Sequence, residues 1–153
     1  MRPIQRKALL IALFVAPSWS SLSAVPMDSG STVLTIKIEN VSNKGGDVRI
    51  ALYDRAGYSG HDQKPILATA VEARAPETVV TLPNVPRGVY AIKMFQDFNR
   101  SGSFVTNRLG IPEEPFGFSN DALPLLDQPS FDEAKFSLEN GSTRIVVHLR
   151  ASF

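Results

Sequence analysis

Cysteine is absent from this sequence of 153 residues. Its absence excludes disulfide bonds, thiolate zinc sites, iron–sulfur clusters and cysteine nucleophiles. An excess of one charge is lacking too, because sixteen Lys and Arg residues stand against fifteen Asp and Glu residues. The sequence therefore predicts no nucleic-acid partner. Hydrophobic residues still make up 43% of the chain, which is typical of a folded protein, and the length fits one domain.

Long hydrophobic runs are also scarce. The longest run begins at Ala8 and ends at Ala16, whereas a membrane-spanning helix needs about 20 residues. The basic residues Arg2, Arg6 and Lys7 precede this run. A positively charged segment followed by a short apolar run is typical of a secretory signal peptide. The sequence therefore predicts export, with no membrane span in the mature chain.

The predicted cleavage site divides the chain into three parts. Small residues favour cleavage after Ser23 or after Ala24. We predict a signal peptide over residues 1–24, a flexible N-terminal segment over 25–31 and a β-sandwich domain over 32–153. Loss of the signal peptide leaves thirteen basic and fifteen acidic residues, a net charge of −2. No cysteine is available for a lipid anchor, so the predicted location is the periplasm or the extracellular space.

Seven segments of the mature sequence alternate between apolar and polar residues. In the first of them, Leu34, Ile36 and Ile38 fall on one face. The first two segments predict a hairpin, and Asn140-Gly141 predicts a tight turn between the last two. No segment has the period of an amphipathic helix, so we predict an all-β fold, a seven-stranded antiparallel β-sandwich. The predicted strands cover residues 32–39, 47–53, 66–74, 78–82, 89–96, 134–138 and 143–150.

The segment from Asp97 to Asp132 does not alternate, and we predict one long ordered loop there. Phenylalanine is concentrated in this segment. In one interpretation the loop folds over an open end of the sandwich and plugs it. In the other, the aromatic side chains form a surface that binds a ligand or a partner. The phenylalanines are Phe98, Phe104, Phe116, Phe118 and Phe131.

The start of this loop partly matches a calcium-binding pattern. Asp97, Asn99 and Ser101 stand at alternate positions before a glycine. The twelfth position holds Arg108, where calcium would require a glutamate. A polar turn explains the same residues. If calcium binds, the predicted ligands are Asp97, Asn99, Ser101 and Asp121; no other cofactor is predicted.

The two histidines do not predict an active site. His61 lies beside Asp62 in a polar loop, but the members of a catalytic triad come together from separate segments. No G-x-S-x-G motif is present. His148 is predicted as a solvent-facing residue of the last strand. We therefore predict that the protein is not an enzyme and has no catalytic residues.

Six motifs are spread over residues 33 to 150. They are GDVRIALY from Gly46, LPNVPRGVYA from Leu82, QDFN from Gln96, LGIP from Leu109, EPFGFSN from Glu114 and PSFDEA from Pro129. With these motifs the chain resembles the bacterial domain of unknown function family 2141, a family of small secreted proteins. The resemblance implies a transthyretin-like or carboxypeptidase-regulatory-like sandwich in the cell envelope, and it implies no chemistry. Family members usually continue the loop after QDFN as an Asp/Asn/Gly-rich run, which this chain only partly matches.

These observations predict an exported, monomeric, non-enzymatic binding or accessory module of the bacterial cell envelope. Its expected partner is an envelope protein or a small ligand, and its predicted working surface is the loop over residues 97–120. The alternative is a small-ligand or calcium-binding periplasmic protein that uses the same loop. The candidate binding residues are Asp97, Asn99, Phe116, Phe118 and Asn120.

Overall fold

The structure, a computed structural model, describes residues 31–125 and 127–151. The predicted signal peptide, residues 1–24, and residues 25–30 of the predicted flexible segment lie outside this part of the chain. None of the helices in the described part is long and apolar enough to cross a membrane. The elements are β1 (Ser31–Glu39), β2 (Asp47–Tyr53), α1 (Arg55–Ser59), β3 (Leu67–Glu72), β4 (Glu77–Pro86), β5 (Gly88–Asp97), β6 (Phe116–Phe118), a 3₁₀ turn (Ser119–Asp121), α2 (Phe131–Ala134), β7 (Phe136–Leu138) and β8 (Ser142–His148).

The strands form two sheets that share one core. The three-stranded sheet has the order β4-β1-β8, and the five-stranded sheet has the order β3-β2-β5-β6, with β7 also paired to β5. This arrangement confirms the predicted all-β sandwich. The described part of the chain contains eight strands, because Phe116–Phe118 forms a short strand inside the segment predicted as a loop.

The alternation of apolar residues produces the core between the two sheets. Leu34, Ile36 and Ile38 of β1 are completely buried, as predicted. They belong to the same buried cluster as Ile50 of β2 and Ile92 of β5 from the other sheet. Burying each of these side chains contributes about 1.5–3 kcal/mol relative to leaving it in water. The packing of the two sheets against each other is therefore a main source of stability.

The prediction of a hairpin from β1 and β2 is wrong, because the two strands lie in different sheets. The link between them crosses the edge of the sandwich. Within it Val41 is buried, and its backbone N–H donates to the Pro76 carbonyl at 3.0 Å. Gly45 and Gly46 then turn the chain with φ of 75° and 84°. Alternation shows which face of a strand is buried, but it does not show which sheet the strand joins.

The last strand also departs from the antiparallel prediction. β7 pairs with β5, so the turn at Gly141 (φ 92°) connects the two sheets and does not close a hairpin. β8 then runs parallel to β1, beginning with the pair Val33 and Ser142. The Val33 N–H donates to the Gly141 carbonyl at 3.1 Å. The first and last strands of the domain are therefore neighbours.

A second, smaller core lies where β2 ends and β5 begins. Tyr58 of α1 is buried and contacts the rings of Tyr53 and Phe131 edge to face, at centroid distances of 5.9 and 5.7 Å. Its hydroxyl donates to the Pro129 carbonyl at 2.9 Å. Phe131 thus packs against the sandwich as the plug interpretation expected for the whole loop.

Polar contacts join β8 and the residues after it to the 3₁₀ turn, to β6 and to β1. The His148 Nδ1 lies 2.6 Å from Asp121 Oδ2, and its Nε2 lies 3.1 Å from Glu39 Oε2. The His148 backbone N–H also donates to Asp121 Oδ1 at 2.8 Å. Further along, Phe116 of β6 and Arg150 exchange two backbone hydrogen bonds of 3.0 and 2.8 Å. The histidine lies on the outward face of β8, where it is fixed between two carboxylates.

Candidate functional site

Two rows of side chains cross the outer face of the five-stranded sheet. Strand register brings one residue from each of β3, β2, β5 and β6 into each row. Small alanine side chains occupy the β3 edge, and large phenylalanine side chains occupy the β6 edge. The side chains therefore project further from the sheet at the β6 edge than at the β3 edge. The first row is Ala68, Ala51, Lys93 and Phe118, and the second row is Ala70, Arg49, Phe95 and Phe116.

An open groove of about 1090 Å³ lies over this face, and we call it the outer groove. Its volume is slightly above the range of roughly 300–1,000 Å³ that is usual for small-molecule sites. The hairpin arm, residues 105–113, forms one wall, and the rim loop, residues 122–125 and 127–130, forms another. The first and second rows lie beneath the groove, and their alanines form its floor. The outer groove is therefore assembled from four strands and the loops around them.

Four phenylalanines form a continuous aromatic wall. Phe104 reaches over from the loop that precedes the hairpin arm and contacts Phe95 and Phe116, at centroid distances of 5.3 and 5.8 Å. Phe116 contacts Phe118 at 6.1 Å. All three pairs are edge to face, an arrangement that adds about 0.5–1.5 kcal/mol per pair beyond area burial. Phe104 remains 42% exposed, so part of the wall is available to a ligand.

The sequence of the hairpin arm determines its turn. The Asn107 side-chain oxygen accepts from the backbone N–H groups of Leu109 and Ile111 at 2.9 and 3.0 Å. Gly110 follows with a φ of 77°, a value that glycine adopts without steric cost. The two sides of the arm pair through backbone hydrogen bonds, including Glu113 N–H to the Val105 carbonyl at 2.9 Å. This wall is thus an ordered hairpin.

A buried carboxylate attaches the base of the arm to the sheet. Glu114 is only 4% exposed. Its Oε1 accepts from the Phe98 N–H and its Oε2 accepts from the Val105 N–H, both at 3.1 Å. One glutamate therefore fixes both ends of the segment that carries Phe104.

Asp97, a predicted binding and metal-ligating residue, lies buried at the end of β5. Its Oδ2 accepts from Arg49 Nε at 2.6 Å and from the Gly102 N–H at 2.8 Å, and its Oδ1 accepts from the Ser101 N–H at 2.9 Å. Burial raises the pKa of Asp97, but Arg49 and the two N–H donors outweigh it, so the pKa is below its ordinary value. Calcium binding here stays a prediction, and a calcium ion would have to compete with Arg49.

Of the other predicted metal ligands, Asn99 and Ser101 lie in the turn beside Asp97, whereas Asp121 lies apart from them. Asn99 accepts from the Ser101 N–H at 3.0 Å in an exposed turn. The Ser101 hydroxyl donates to the Ser103 carbonyl at 3.1 Å. Asp121 is engaged by His148. Within the described ranges, no three acidic or histidine side chains converge in a way that would hold a metal ion.

The predicted binding residues separate into two groups. Phe116 and Phe118 line the outer groove. Asn120 lies elsewhere: its side chain donates to the Lys135 carbonyl at 2.5 Å and so ties the 3₁₀ turn to the residue after α2. The two phenylalanines are thus the members of the predicted set that lie together in a cavity.

Lys93, a groove residue that the sequence did not single out, lies between the alanine and phenylalanine sides of the first row. Its Nζ donates to the side-chain oxygens of Gln63 at 2.8 Å and Gln128 at 2.7 Å, and to the Tyr58 carbonyl at 3.4 Å. The sequence of β5 contains a signal that could have identified this face as a covered surface. Phe95, like Lys93, points away from the core, and apolar residues on both faces indicate a strand that is covered on both sides.

A comparison with protein-family models identifies the family of this chain. No curated protein and no solved structure matches it. The model of a family described as "Uncharacterized protein conserved in bacteria (DUF2141)" matches residues 36–146. The matched range runs from β1 into β8 and includes the whole floor of the outer groove. Because this match covers well over half of the sequence, it confirms the resemblance found in the motifs, and the chain belongs to this bacterial family.

Proposed function

We propose that the protein is an exported, non-enzymatic binding protein that holds a small, largely apolar ligand in the outer groove. The observation that carries this proposal is the juxtaposition of an aromatic wall with an alanine floor. The phenylalanines offer flat apolar contact area, and the alanines leave the space that a ligand would fill. These groups suit retention of a ligand and not its chemical conversion.

Exposed apolar side chains on both loops support the proposal. Leu109 at the turn of the hairpin arm is 83% exposed, and Leu125 in the rim loop is 86% exposed. Of the exposed apolar side chains, Phe104, Ile111 and Leu125 line the groove itself. Removing apolar surface from water yields about 25 cal/mol per Å². A ligand in the groove would therefore gain contacts with the floor and with both loops.

The alanine floor provides a test that leaves the core untouched. The substitution Ala68→Trp places an indole in the groove from an exposed position on β3. We expect the wild-type protein to bind the uncharged fluorescent probe N-phenyl-1-naphthylamine, and A68W to lose at least tenfold in affinity because the space is occupied. Binding is measured by fluorescence titration, and the melting temperature of each protein is measured in parallel.

The aromatic wall provides a matched pair of variants. Phe118→Ala removes a ring from the groove, whereas Phe98→Ala removes a half-buried ring that lies under Lys44 outside it. We expect F118A to weaken probe binding and F98A to leave it unchanged. A wild-type protein that does not bind the probe, or an A68W variant that binds it normally, would contradict the proposal.

Export is proposed on the order of charged, apolar and small residues over residues 1–24. We expect the mature protein to occur in the periplasmic or culture fraction of the producing bacterium, as a monomer that begins at residue 24 or 25. Cell fractionation, intact-mass spectrometry and light scattering measure these three properties. An uncleaved chain in the cytoplasmic fraction would contradict this part of the proposal.

A further inference from the structure

Lys93 places a half-buried ammonium group at one end of the outer groove. Its Nζ lies 4.2 Å from the ring centroid of Tyr58 and 4.8 Å from that of Tyr53. Two glutamine side chains and one backbone carbonyl accept its hydrogen bonds. Every one of these neighbours is uncharged.

The two cations of the groove differ in how their charges are balanced. Arg49 forms an ion pair with the buried carboxylate of Asp97. In the part of the chain that the structure describes, none of the ion pairs includes Lys93. Burial lowers the pKa of Lys93, and the more distant carboxylate of Asp127 raises it only in part. The charge of Lys93 is therefore available to an anion that enters the groove.

A ligand could replace the neutral hydrogen-bond acceptors around Lys93. Gln63 is exposed at the end of a polar loop, and Gln128 belongs to the rim loop, so each side chain can rotate away without disturbing the core. A carboxylate in the place of either amide oxygen would form a charge-assisted hydrogen bond, which is about twice as strong as a neutral one. The rings of Tyr53 and Tyr58 would remain in contact with the ammonium group.

The apolar part of the groove begins directly beside this cation. Strand register places Lys93 between Ala51 and Phe118, and the row of Phe95 and Phe116 follows about 6.7 Å further along the strands. A ligand whose charged group contacts Lys93 would thus extend its apolar part along the aromatic wall.

From this juxtaposition we infer that the ligand of the outer groove is an amphipathic anion, a carboxylate with an apolar tail, and that Lys93 binds its carboxylate. The inference rests on the proposed function, since it assigns the charge and the orientation of the ligand in the same groove.

Three ligands that each have a straight chain of twelve carbons test the inference. Laurate, dodecanol and dodecyltrimethylammonium compete with N-phenyl-1-naphthylamine for the protein at pH 8. The two ions are kept below their critical micelle concentrations and dodecanol is kept below its solubility limit. We expect wild-type protein to bind laurate at least tenfold more tightly than dodecanol, a difference of about 1.4 kcal/mol, and the cation most weakly. The Lys93→Met variant should lose the preference for laurate over dodecanol, measured as the ratio of the two affinities for the same protein.

The controls separate the inference from the proposed function. Lys44→Met removes a lysine that also lies over a phenylalanine ring but is outside the groove, and it should change nothing. Lys93→Gln is a second variant without the charge. If its melting temperature matches that of the wild type, a loss of the preference for laurate cannot be attributed to a folding defect. Equal binding of laurate and dodecanol, or a preference that persists in K93M, would overturn the inference while the proposed function stands. Failure of the wild-type protein to bind the neutral probe would overturn both.

Discussion

Asp97 is a buried carboxylate whose charge is balanced by Arg49 and by two backbone N–H groups. Removing one partner of a fully buried ion pair costs about 3–5 kcal/mol. Arg49 remains partly in contact with water, at 32% side-chain exposure, so the expected cost is smaller. This one residue joins β5, β2 and the loop that leads to the hairpin arm.

We predict that Asp97→Asn lowers the free energy of unfolding by about 2 kcal/mol at pH 7. Because the pKa of Asp97 is lowered in the folded state, its stabilising effect is complete above the ordinary aspartate pKa and is lost as the pH falls through the lower folded value. Urea denaturation from pH 7 to pH 2 should therefore show the wild type and D97N converging in acid. Asp132→Asn, in an exposed ion pair with Arg55, is the control and should change stability little.

We predict that the contribution of Tyr58 to the stability of the fold has the opposite dependence on pH. Burial, with smaller effects from Glu133 and Tyr53, raises its pKa to about 12. The neutral hydroxyl therefore stabilises the fold fully below the ordinary tyrosine pKa of about 10, and this effect is lost as the pH rises through about 12. Absorbance titration at 295 nm should show one tyrosine ionising near that value. If the Tyr58→Phe variant kept that late phase, the assignment would be wrong.

The elements show what local sequence determines and what it does not. The inward positions of β1, β2 and β5 follow from alternation, because each residue's face depends only on its neighbours along the strand. The pairing partners of β1, β2 and β8 do not follow from alternation, because pairing depends on where distant segments of the chain pack. The sequence does not predict the strand Phe116–Phe118, because a strand of three residues with a central glycine is too short to show an alternation.

The hairpin arm should depend on one carboxylate. We predict that Glu114→Ala frees the backbone N–H groups of Phe98 and Val105 and loosens the arm, because both lose their acceptor. Hydrogen exchange of these two amides should accelerate by at least tenfold, whereas exchange in β1 should not change. Glu113→Ala, the exposed neighbour, is the matched control. Equal exchange in both variants would show that the arm is held by its own backbone pairing.

At the scale of the whole molecule, the candidate site forms because the register of β3, β2, β5 and β6 brings its residues together. The sequence predicted that Phe116 and Phe118 belong to a binding loop, and both line the outer groove. It did not predict Lys93 or the alanines opposite, because these residues are ordinary members of their own strands. They acquire a common surface only when four strands align.

The parallel pairing of β1 with β8 has a consequence for the order in which the domain is completed. A chain is synthesised from its N-terminus, so β1, the central strand of its sheet, is made first and the partner on one of its sides is made last. The five-stranded sheet has all its strands once Leu138 has been made, while β1 keeps an unpaired edge until residues 142–148 follow. An unpaired edge rich in isoleucine is a template for pairing with other chains. The risk of aggregation is therefore greatest just before the last strand arrives.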